Sequence, residues 1–263
     1  MTIALRGSHA VVTGGGRGIG VAIATELAAR GARVTVVGRT AANLDAVAQA
    51  TGGSALALDL GDPAALRDAR KLLEDGNGPV DVVVHNAGLA VVGPVHAVDG
   101  EDVTASIGIN VLAPIELTRQ LVPGMLERGR GHVVFVSTYA AIAAIPTLGT
   151  YGATKAAMSH FASVVRRELK PTPVGVTLVT LGEVAGTDMM EAARQSPTIA
   201  AVSARLARAR LMPEVTREQV ARRIADAIES GATHVEVPRR IRPLVALREA
   251  ASRVNDLSLL GIE

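Results

Sequence analysis

A tyrosine and a lysine four residues apart are the pair in this sequence best suited to proton transfer. Tyr151 and Lys155 fall at the start of a stretch with helical periodicity, and this spacing places both side chains on one face of a helix. An unperturbed tyrosine has a pKa of about 10, so acid/base work near neutrality requires that pKa to fall by about three units. We expect the positive charge of Lys155 to supply part of that shift.

A serine at the end of a predicted strand could join this pair. Ser137 closes the apolar run that predicts the fifth strand, His132–Ser137. Open α/β sheets bind their ligands at the carboxyl ends of the strands, and a serine hydroxyl there can hydrogen-bond a substrate oxygen. We therefore expect the end of this strand and the start of the helix that carries Tyr151 to converge on one site.

A glycine-rich loop lies between the first predicted strand and the first predicted helix. The segment Thr13–Gly20 reads TGGGRGIG, and its glycines allow a tight turn and close approach of the backbone to a pyrophosphate. The helix that follows would aim its N-terminal amides at the same phosphates. A plain glycine-rich turn is the alternative. The loop residues expected to contact a dinucleotide are Gly14, Gly16, Arg17, Gly18, Ile19 and Gly20.

The residues after the second predicted strand favour NADP(H) over NAD(H). A site specific for NAD usually has an acid here, which accepts from the ribose 2′-hydroxyl, but this chain continues with Gly38, Arg39 and Thr40. Arg39 would place a cation where a 2′-phosphate lies, and Arg17 could reach that phosphate from the other side. Solvated surface charges are the alternative interpretation of both arginines.

Short valine-rich runs alternate with longer alanine-rich stretches of helical period. This alternation is typical of βαβ units in a parallel sheet. We predict an α/β fold of the Rossmann type, a doubly wound sheet of about seven mostly parallel strands with helices on both faces. The predicted strands are Ala10–Thr13, Arg33–Val37, Ser54–Leu58, Val80–His85, His132–Ser137, Val174–Thr180 and His234–Val237, and the predicted helices are Gly18–Arg30, Asn43–Ala50, Pro63–Asp75, Val103–Arg128, Tyr151–Lys170 and Arg217–Ser230.

Size and composition indicate a single domain. The chain has 263 residues, of which 48% are hydrophobic and 20% charged, so it can bury a large core. We interpret residues 1–263 as one domain, in which residues 1–187 form the cofactor-binding and catalytic part. The least regular stretch, within 188–213, is where a substrate lid could lie, and residues 239–263 form an amphipathic tail.

Charge and cysteine content argue against several classes of function. The formal net charge is only +2 and the arginines are spread among acids, which disfavours a nucleic-acid partner. The chain has no cysteine, so a disulfide framework and a thiolate metal site are excluded, and we expect no metal. Because no apolar segment has the length of a signal peptide or a spanning helix, we expect a soluble, cytoplasmic protein.

Taken together, these motifs resemble the short-chain dehydrogenase/reductase family in its single-domain form. The resemblance covers about residues 8–187. It rests on the order and spacing of the TGGGRGIG loop, Asp59, the Asn86-Ala87-Gly88 segment, Asn110, Ser137, Tyr151 and Lys155.

The resemblance implies a role for each of these residues. Tyr151 would donate a proton to a carbonyl oxygen as hydride arrives from the nicotinamide, with its pKa lowered by Lys155 and by the charge of the oxidised ring. Lys155 would also bind the nicotinamide ribose, Ser137 would polarise the carbonyl, and Asn110 would hold a water that links Lys155 to solvent.

The resemblance also implies further cofactor contacts. Asp59, with Leu60 beside it, would meet the adenine, and Asn86, Ala87 and Gly88 would lie along the cofactor. Capping or turn duty is an equal alternative for Asp59 and the asparagines. Two departures stand out. After the sixth predicted strand, Leu181 stands where the family usually has a proline, and it is followed by Gly182, Val184 and Thr187, with the threonine one residue later than usual. After the fourth predicted strand, His85 stands where the family often has an asparagine, and we interpret it as a packed histidine at the strand end.

Substrate and assembly are less constrained by the sequence. The helix that carries Tyr151 also carries three alanines that would let a second helix approach closely: Ala153, Ala156 and Ala157. By resemblance we expect a homodimer or homotetramer. The tail, residues 239–263, could touch a membrane surface or an acyl carrier, although packing on its own domain or on a neighbouring subunit is the interpretation that we favour. Apolar residues that could line a hydrophobic pocket, or simply pack in the core, are Met189, Met190, Ile199, Val202, Leu206 and Leu211.

The leading hypothesis is an NADP(H)-dependent oxidoreductase that acts on a ketone, a ketoacyl group or a secondary alcohol, with Tyr151 as the acid/base. Its small-molecule substrate would be a carbonyl compound or alcohol, lipophilic or an acyl thioester. A non-catalytic NADP(H)-binding sensor or scaffold on the same fold is the alternative from another class. An isomerase or dehydratase on the same fold is a third hypothesis.

Overall fold

The centre of the fold is a parallel sheet. Over the residues that the computed structural model describes, 2–208, 212–243 and 245–246, seven strands pair side by side in one sheet. They are β1 (His9–Thr13), β2 (Arg33–Gly38), β3 (Ser54–Ala57), β4 (Val82–His85), β5 (Gly131–Thr138), β6 (Val174–Leu181) and β7 (His234–Val237). Their order is β3-β2-β1-β4-β5-β6-β7 and every pair is parallel, which confirms the predicted doubly wound Rossmann-type sheet.

Helices cover both faces of this sheet. Buried side chains from α1, α2 and α10 pack on one face, and those from α3, α4, α6 and α7 pack on the other. The helices are α1 (Gly18–Ala29), α2 (Ala41–Thr51), α3 (Pro63–Leu66), α4 (Ala69–Glu74), α5 (Gly100–Ile107), α6 (Ala113–Glu127), α7 (Gly149–Glu168), α8 (Asp188–Arg194), α9 (Pro197–Arg208) and α10 (Arg217–Ser230), with a π-helical turn at Gly108–Leu112 and 3₁₀ turns at Tyr139–Ala141 and Arg239–Ile241.

Two predicted helices differ from the observed ones. The helix predicted over Pro63–Asp75 is divided into α3 and α4, because the backbone leaves the helical conformation at Asp68 (φ −111°, ψ 23°). The helix predicted over Val103–Arg128 begins earlier, at Gly100, because the Asp99 side chain accepts from the amide of Glu101 and caps it. The same helix is interrupted by the π-helical turn between α5 and α6.

The stretch predicted to be irregular contains two helices. Thr187 caps α8 through a hydrogen bond from the Met190 amide, and α9 follows after Ser196. Polar residues at the bends hide the helical period of these short segments from sequence inspection. We call residues 188–213 the lid segment; residues 209–211 lie outside the described part.

Little of the predicted amphipathic tail falls within the described residues. Ile241 and Val245 are buried and pack with Met212, which is consistent with packing on the chain's own domain. The predicted tail contact with a membrane or an acyl carrier concerns mainly Leu244 and residues 247–263, which lie outside the described residues. Among the residues that are described, no helix is both long and apolar enough to cross a membrane.

Two buried histidines lie near the amino ends of the strands. His9 shares a hydrogen bond of 2.8 Å with the Thr35 hydroxyl, and His132 shares one of 2.8 Å with the Thr177 hydroxyl. Burial lowers the pKa of His9, and it lowers the pKa of His132 to about 4. Both rings are therefore held neutral in the folded protein at pH values where an unfolded histidine, with a pKa of about 6.5, takes up a proton.

We expect the free energy of unfolding to fall as the pH drops below 6.5, because the unfolded chain binds protons that the folded His132 does not. Between about pH 7.5 and pH 5 this loss is about 2 kcal/mol for one such histidine. His132→Gln should remove that part of the pH dependence, as measured by urea unfolding at both pH values. The exposed His96 provides the control His96→Gln, which should leave it unchanged. An equal pH dependence in wild type and His132→Gln would contradict this account.

Candidate active site

A cleft opens at the carboxyl edge of the sheet. The strand order reverses between β1 and β4, and the connections that leave these two strands run in opposite directions, which leaves a crevice between them. The cleft, together with the open solvent at its mouth, takes up about 1020 Å³. It extends from the glycine loop past the ends of β5 and β6 to the lid segment. Residues that line its inner part include Ile19, Asn86, Gly88, Val136, Ser137, Thr138, Tyr151, Lys155, Gly182, Val184 and Thr187.

The glycine loop is too crowded to carry side chains at Gly14, Gly15 and Gly20. A Cβ on Gly14, where φ is +66°, would lie 2.9 Å from Cα of Ala87, and a Cβ on Gly20 would lie 2.0 Å from the carbonyl oxygen of Gly14. The bare backbone therefore packs against β4 and turns directly into α1, which begins at Gly18. This cradle fits a pyrophosphate held by backbone amides at a helix N-terminus.

Asn86 and Ala87 fasten this loop to β4. The Asn86 amide side chain donates to the carbonyl oxygens of Thr13 (3.0 Å) and Gly14 (3.3 Å). The Thr13 hydroxyl accepts from the backbone amides of Asn86 (3.0 Å) and Ala87 (3.1 Å). A Cβ on Gly88 would lie 3.3 Å from Nζ of Lys155. Residues 86–88 thus run from the glycine loop to the side chain of Lys155.

The residues predicted to select the cofactor lie around the outer end of the loop. Arg39 and Thr40 follow β2 and are exposed, and β2 is paired with β1 such that Val37 lies opposite Thr13. Arg17 is also exposed, and its guanidinium lies 3.4 Å from Asp188. Arg39 thus lies at the end of β2, whereas the guanidinium of Arg17 faces the start of the lid segment.

Asp59 and Leu60 follow β3, one strand further out. Asp59 is exposed, and its carboxylate accepts from the amide of Gly61 at 2.9 Å, which is the turn role given as the alternative to adenine contact. Leu60 is buried in the core. Both residues thus have structural partners within the chain.

Tyr151 and Lys155 lie one turn apart near the start of α7, as their spacing predicts. Burial raises the pKa of Tyr151 to about 12, and it lowers the pKa of Lys155 to about 8. The shift of Tyr151 is opposite in direction to the one expected from the sequence. The lysine ammonium donates to the carbonyl oxygen of Val136 at 3.0 Å, and desolvation of the phenol dominates. In this structure, Tyr151 is therefore a neutral phenol at pH 7.

The structure corrects the placement predicted for Ser137. Its hydroxyl is buried and lies 2.7 Å from that of Ser159 on α7, so it is engaged inside the fold although the residue borders the cleft. β5 continues one residue further, to Thr138, whose side chain hydrogen-bonds Tyr151 and moderates the rise of its pKa. Successive side chains of a strand point to opposite faces, so only one of two adjacent hydroxyls can meet the phenol.

Thr138 is the site residue that sequence reasoning missed. The available signal was the pair of adjacent hydroxyl residues at the strand end, which strand alternation sends to opposite sides. The sequence alone does not tell which of the two faces the cleft, because that depends on where the strand ends and how α7 packs against it.

Asn110 lies in the π-helical turn and its side chain is fully engaged. Its Oδ1 accepts from the Leu89 amide at 2.8 Å. Its Nδ2 donates to the Leu89 carbonyl (2.9 Å) and to the hydroxyls of Ser106 (3.1 Å) and Thr154 (2.9 Å). Asn110 thereby ties the loop after β4 to α7 beside Lys155.

The segment after β6 forms one wall of the cleft. The Gly182 amide donates to the Val237 carbonyl at 2.7 Å, and Val184 pairs with Val215 in an isolated parallel bridge. The Thr187 hydroxyl caps α8 and donates to the Val184 carbonyl at 3.2 Å. All three residues line the cleft, although the hydroxyl of Thr187 already forms hydrogen bonds within the chain.

The outer part of the cleft is lined by apolar side chains of the lid segment. Glu183 is an acid in this lining, and it is paired with Arg194 at 2.9 Å. Leu211 lies outside the described residues. Five of the six residues predicted to line a hydrophobic pocket do so: Met189, Met190, Ile199, Val202 and Leu206.

His85 is buried, as the interpretation of a packed strand-end histidine requires. Its ring lies 5.0 Å from that of Phe135, and its Nε2 lies 3.0 Å from the Thr118 hydroxyl. Burial, reinforced by the nearby Lys155 charge, lowers its pKa to about 3. Among residues 2–208, 212–243 and 245–246, no cluster of three or more histidine, aspartate or glutamate side chains could hold a metal ion.

Comparison with known proteins identifies the family. A family model for short chain dehydrogenases matches residues 8–198. The ketoacyl reductase HetN of a Nostoc species is 32% identical over 240 residues, which are 89% of this chain and 79% of the relative. The L-xylulose reductase of Bos taurus is 36% identical over 199 residues, covering 75% of this chain and 80% of the relative.

Solved structures agree with this assignment. A short chain dehydrogenase of Burkholderia cenocepacia in complex with NADP has a TM-score of 0.77 and 28% identity, with 89% of this chain and 97% of that chain covered. A short chain dehydrogenase/reductase of Burkholderia phymatum in complex with NAD has a TM-score of 0.81 over 96% of each chain, at 22% identity, a likeness that concerns the fold alone. The chain therefore belongs to the short-chain dehydrogenase/reductase family.

Proposed function

We propose that this protein is an NADP(H)-dependent oxidoreductase that transfers a hydride between the nicotinamide and a ketone, a ketoacyl group or a secondary alcohol. The observation that carries the proposal is the phenol of Tyr151 at the base of the cleft, with Thr138 facing it and Lys155 one turn behind. The cleft leads from a phosphate-binding loop on one side to an apolar chamber on the other. Family members named ketoacyl reductase and L-xylulose reductase support a carbonyl substrate.

The chain's residues fit a dinucleotide. The glycine loop, whose backbone packs closely on the residues after β4 and leads into α1, suits the pyrophosphate, and Arg17 and Arg39 suit a 2′-phosphate. Gly88, Gly182 and the neighbouring cleft residues would lie along the nicotinamide half. When bound, the reduced cofactor supplies the hydride.

Tyr151 is proposed to act as a general acid in the reductive direction. Its phenol stays protonated at pH 7 because burial raises its pKa to about 12, so the proton needed by a carbonyl oxygen is present. Thr138 would donate a hydrogen bond to the same oxygen, the role that the sequence suggested for Ser137. Lys155, with a pKa of about 8, is mostly charged at pH 7 and would stabilise the phenolate left after proton transfer.

Asn110 is proposed to serve the proton supply through its backbone. Its side chain is committed to Leu89, Ser106 and Thr154, so a water-holding role falls to its backbone carbonyl. The π-helical turn at Gly108–Leu112 is where the carbonyls depart from the regular helical pattern, and such turns are frequent at functional sites.

A lipophilic, uncharged substrate fits the chamber best. The lid segment presents methionine, isoleucine, valine and leucine side chains, and methionine adapts to varied shapes. The carboxylate of Glu183 is paired with Arg194, so it is not free to bind a cationic group of a substrate. The substrate class that we propose is therefore a ketone or acyl thioester with an apolar chain.

We also propose that the protein assembles as a homodimer or homotetramer. Ala153 and Ala157 are exposed on α7, where they would let a helix of a second copy approach. Ile107 is 42% exposed and Leu112 is 49% exposed on the adjoining helical layer, and burying them would favour association. A cytoplasmic location stays a prediction from composition.

The activity test is NADPH consumption over a panel of ketones and β-ketoacyl thioesters of increasing chain length. We expect turnover that improves with apolar chain length. Tyr151→Phe should lower kcat/KM by about 10²- to 10⁴-fold, because it deletes the general acid and keeps the ring. NADPH affinity, measured by fluorescence titration, should change less than about threefold. NADPH binding without turnover of any panel member would favour the sensor hypothesis.

The two adjacent hydroxyls provide a matched pair of variants. Thr138→Ala should lower kcat by about 10²- to 10³-fold, because it removes a donor to the reacting oxygen, and Thr138→Ser should restore most of the rate. Ser137→Ala should keep kcat within a few-fold and lower the free energy of unfolding by about 1 kcal/mol, through loss of its buried hydrogen bond. If Ser137→Ala abolished turnover while Thr138→Ala did not, the assignment of Thr138 would be wrong.

Arg39→Asp tests the cofactor preference. The substitution replaces a cation for the 2′-phosphate with an acid suited to a 2′-hydroxyl, and we expect the NADPH/NADH ratio of kcat/KM to fall by about 10- to 100-fold. Arg67, an exposed arginine at the end of α3, provides the control Arg67→Asp, which should leave the ratio unchanged. A ratio that is the same in wild type and Arg39→Asp would show that the 2′-phosphate is bound elsewhere.

A further inference from the structure

An ion pair joins the glycine loop to the lid segment. Nη1 of Arg17 lies 3.4 Å from a carboxylate oxygen of Asp188, the first residue of α8. The two residues are 171 positions apart in sequence. Both side chains are largely exposed, 68% for Arg17 and 76% for Asp188. The contact therefore joins the glycine loop to the start of the lid segment at the protein surface.

This ion pair is weak by its geometry. It is a single long contact between exposed groups, and such pairs contribute little to stability. A phosphate monoester carries more negative charge than a carboxylate and offers three acceptor oxygens to the guanidinium fork. Arg17 would therefore exchange Asp188 for a 2′-phosphate rather than hold both equally.

We propose that Asp188 sets the affinity of this protein for the cofactor's 2′-phosphate, by competing for Arg17 and by repelling the phosphate. Both effects lower the affinity for the phosphate, since a carboxylate near the site disfavours a second anion. The inference rests on the proposed function, in which Arg17 meets the 2′-phosphate. It adds that binding of the phosphate releases the first turn of α8 from the glycine loop.

The lid helix offers a matched control. The first turn of α8 contains a second exposed acid, Glu191. Asp188→Asn and Glu191→Gln each remove one negative charge from the same turn. Thr187 provides the side-chain cap of α8, so the helix keeps its cap in both variants.

The experiment is calorimetric titration of wild type, Asp188→Asn and Glu191→Gln with 2′,5′-ADP and, separately, with 5′-AMP. We expect Asp188→Asn to bind 2′,5′-ADP two- to fivefold more tightly than wild type, which corresponds to about 0.4–1 kcal/mol. Binding of 5′-AMP should not change, and Glu191→Gln should resemble wild type with both ligands. The gain should shrink in about 1 M salt, where exposed charges are screened.

Two results would overturn the proposal. Unchanged binding of 2′,5′-ADP by Asp188→Asn would show that the ion pair does not compete, and weaker binding would show that Asp188 orients Arg17 instead.

Arg17→Ala separates this inference from the proposed function. If Arg17→Ala and Arg39→Asp both keep the wild-type ratio of 2′,5′-ADP to 5′-AMP affinity, the assignment of the 2′-phosphate site fails. If they lose that ratio while Asp188→Asn changes nothing, only the competition by Asp188 fails.

Discussion

The parallel pairing of β1 with β4 is the constraint on which the rest of the site depends. The strand order reverses between these two strands, so the chain leaves them on opposite sides and opens the crevice. Thr13 and Asn86, at their carboxyl ends, then share backbone and side-chain hydrogen bonds. These bonds hold the glycine loop against β4 and fix its position relative to the residues that follow β4. The same pairing brings the loop close to Gly88, which lies beside the side chain of Lys155.

Desolvation determines the protonation states of Tyr151 and Lys155. Burial shifts the pKa values of Tyr151 and Lys155 in opposite directions, because it disfavours the charged form of each side chain. The phenol is kept as a proton donor, while the ammonium remains charged at neutral pH but loses part of its preference for that form. Asn110 ties the loop after β4 to α7, so the lysine is held at a defined depth beside the phenol. The chemistry therefore depends on how tightly α7 packs on β5, as much as on the residues themselves.

The lid segment gives the cleft two different ends. At its start, α8 is connected to the glycine loop by an ion pair between exposed side chains. Further along, Arg194 joins Glu183 and Glu214, which holds the same helix against the loop after β6. The apolar faces of α8 and α9 close the chamber between these ionic contacts. The ion pair at the start of α8 is thus longer and more exposed than the pairs that Arg194 forms.

Local pattern in the sequence determined the sheet, the glycine loop and the pairing of Tyr151 with Lys155. Alternating valine-rich and alanine-rich segments define strands and helices through residues close together in the chain, and a spacing of four fixes two side chains on one helical face. Tertiary structure decided which of Ser137 and Thr138 faces the phenol, the π-helical turn at Asn110 and the ion pair between Arg17 and Asp188. Each of these depends on contacts between segments far apart in sequence, whose relative positions are set only when the helices pack on the sheet.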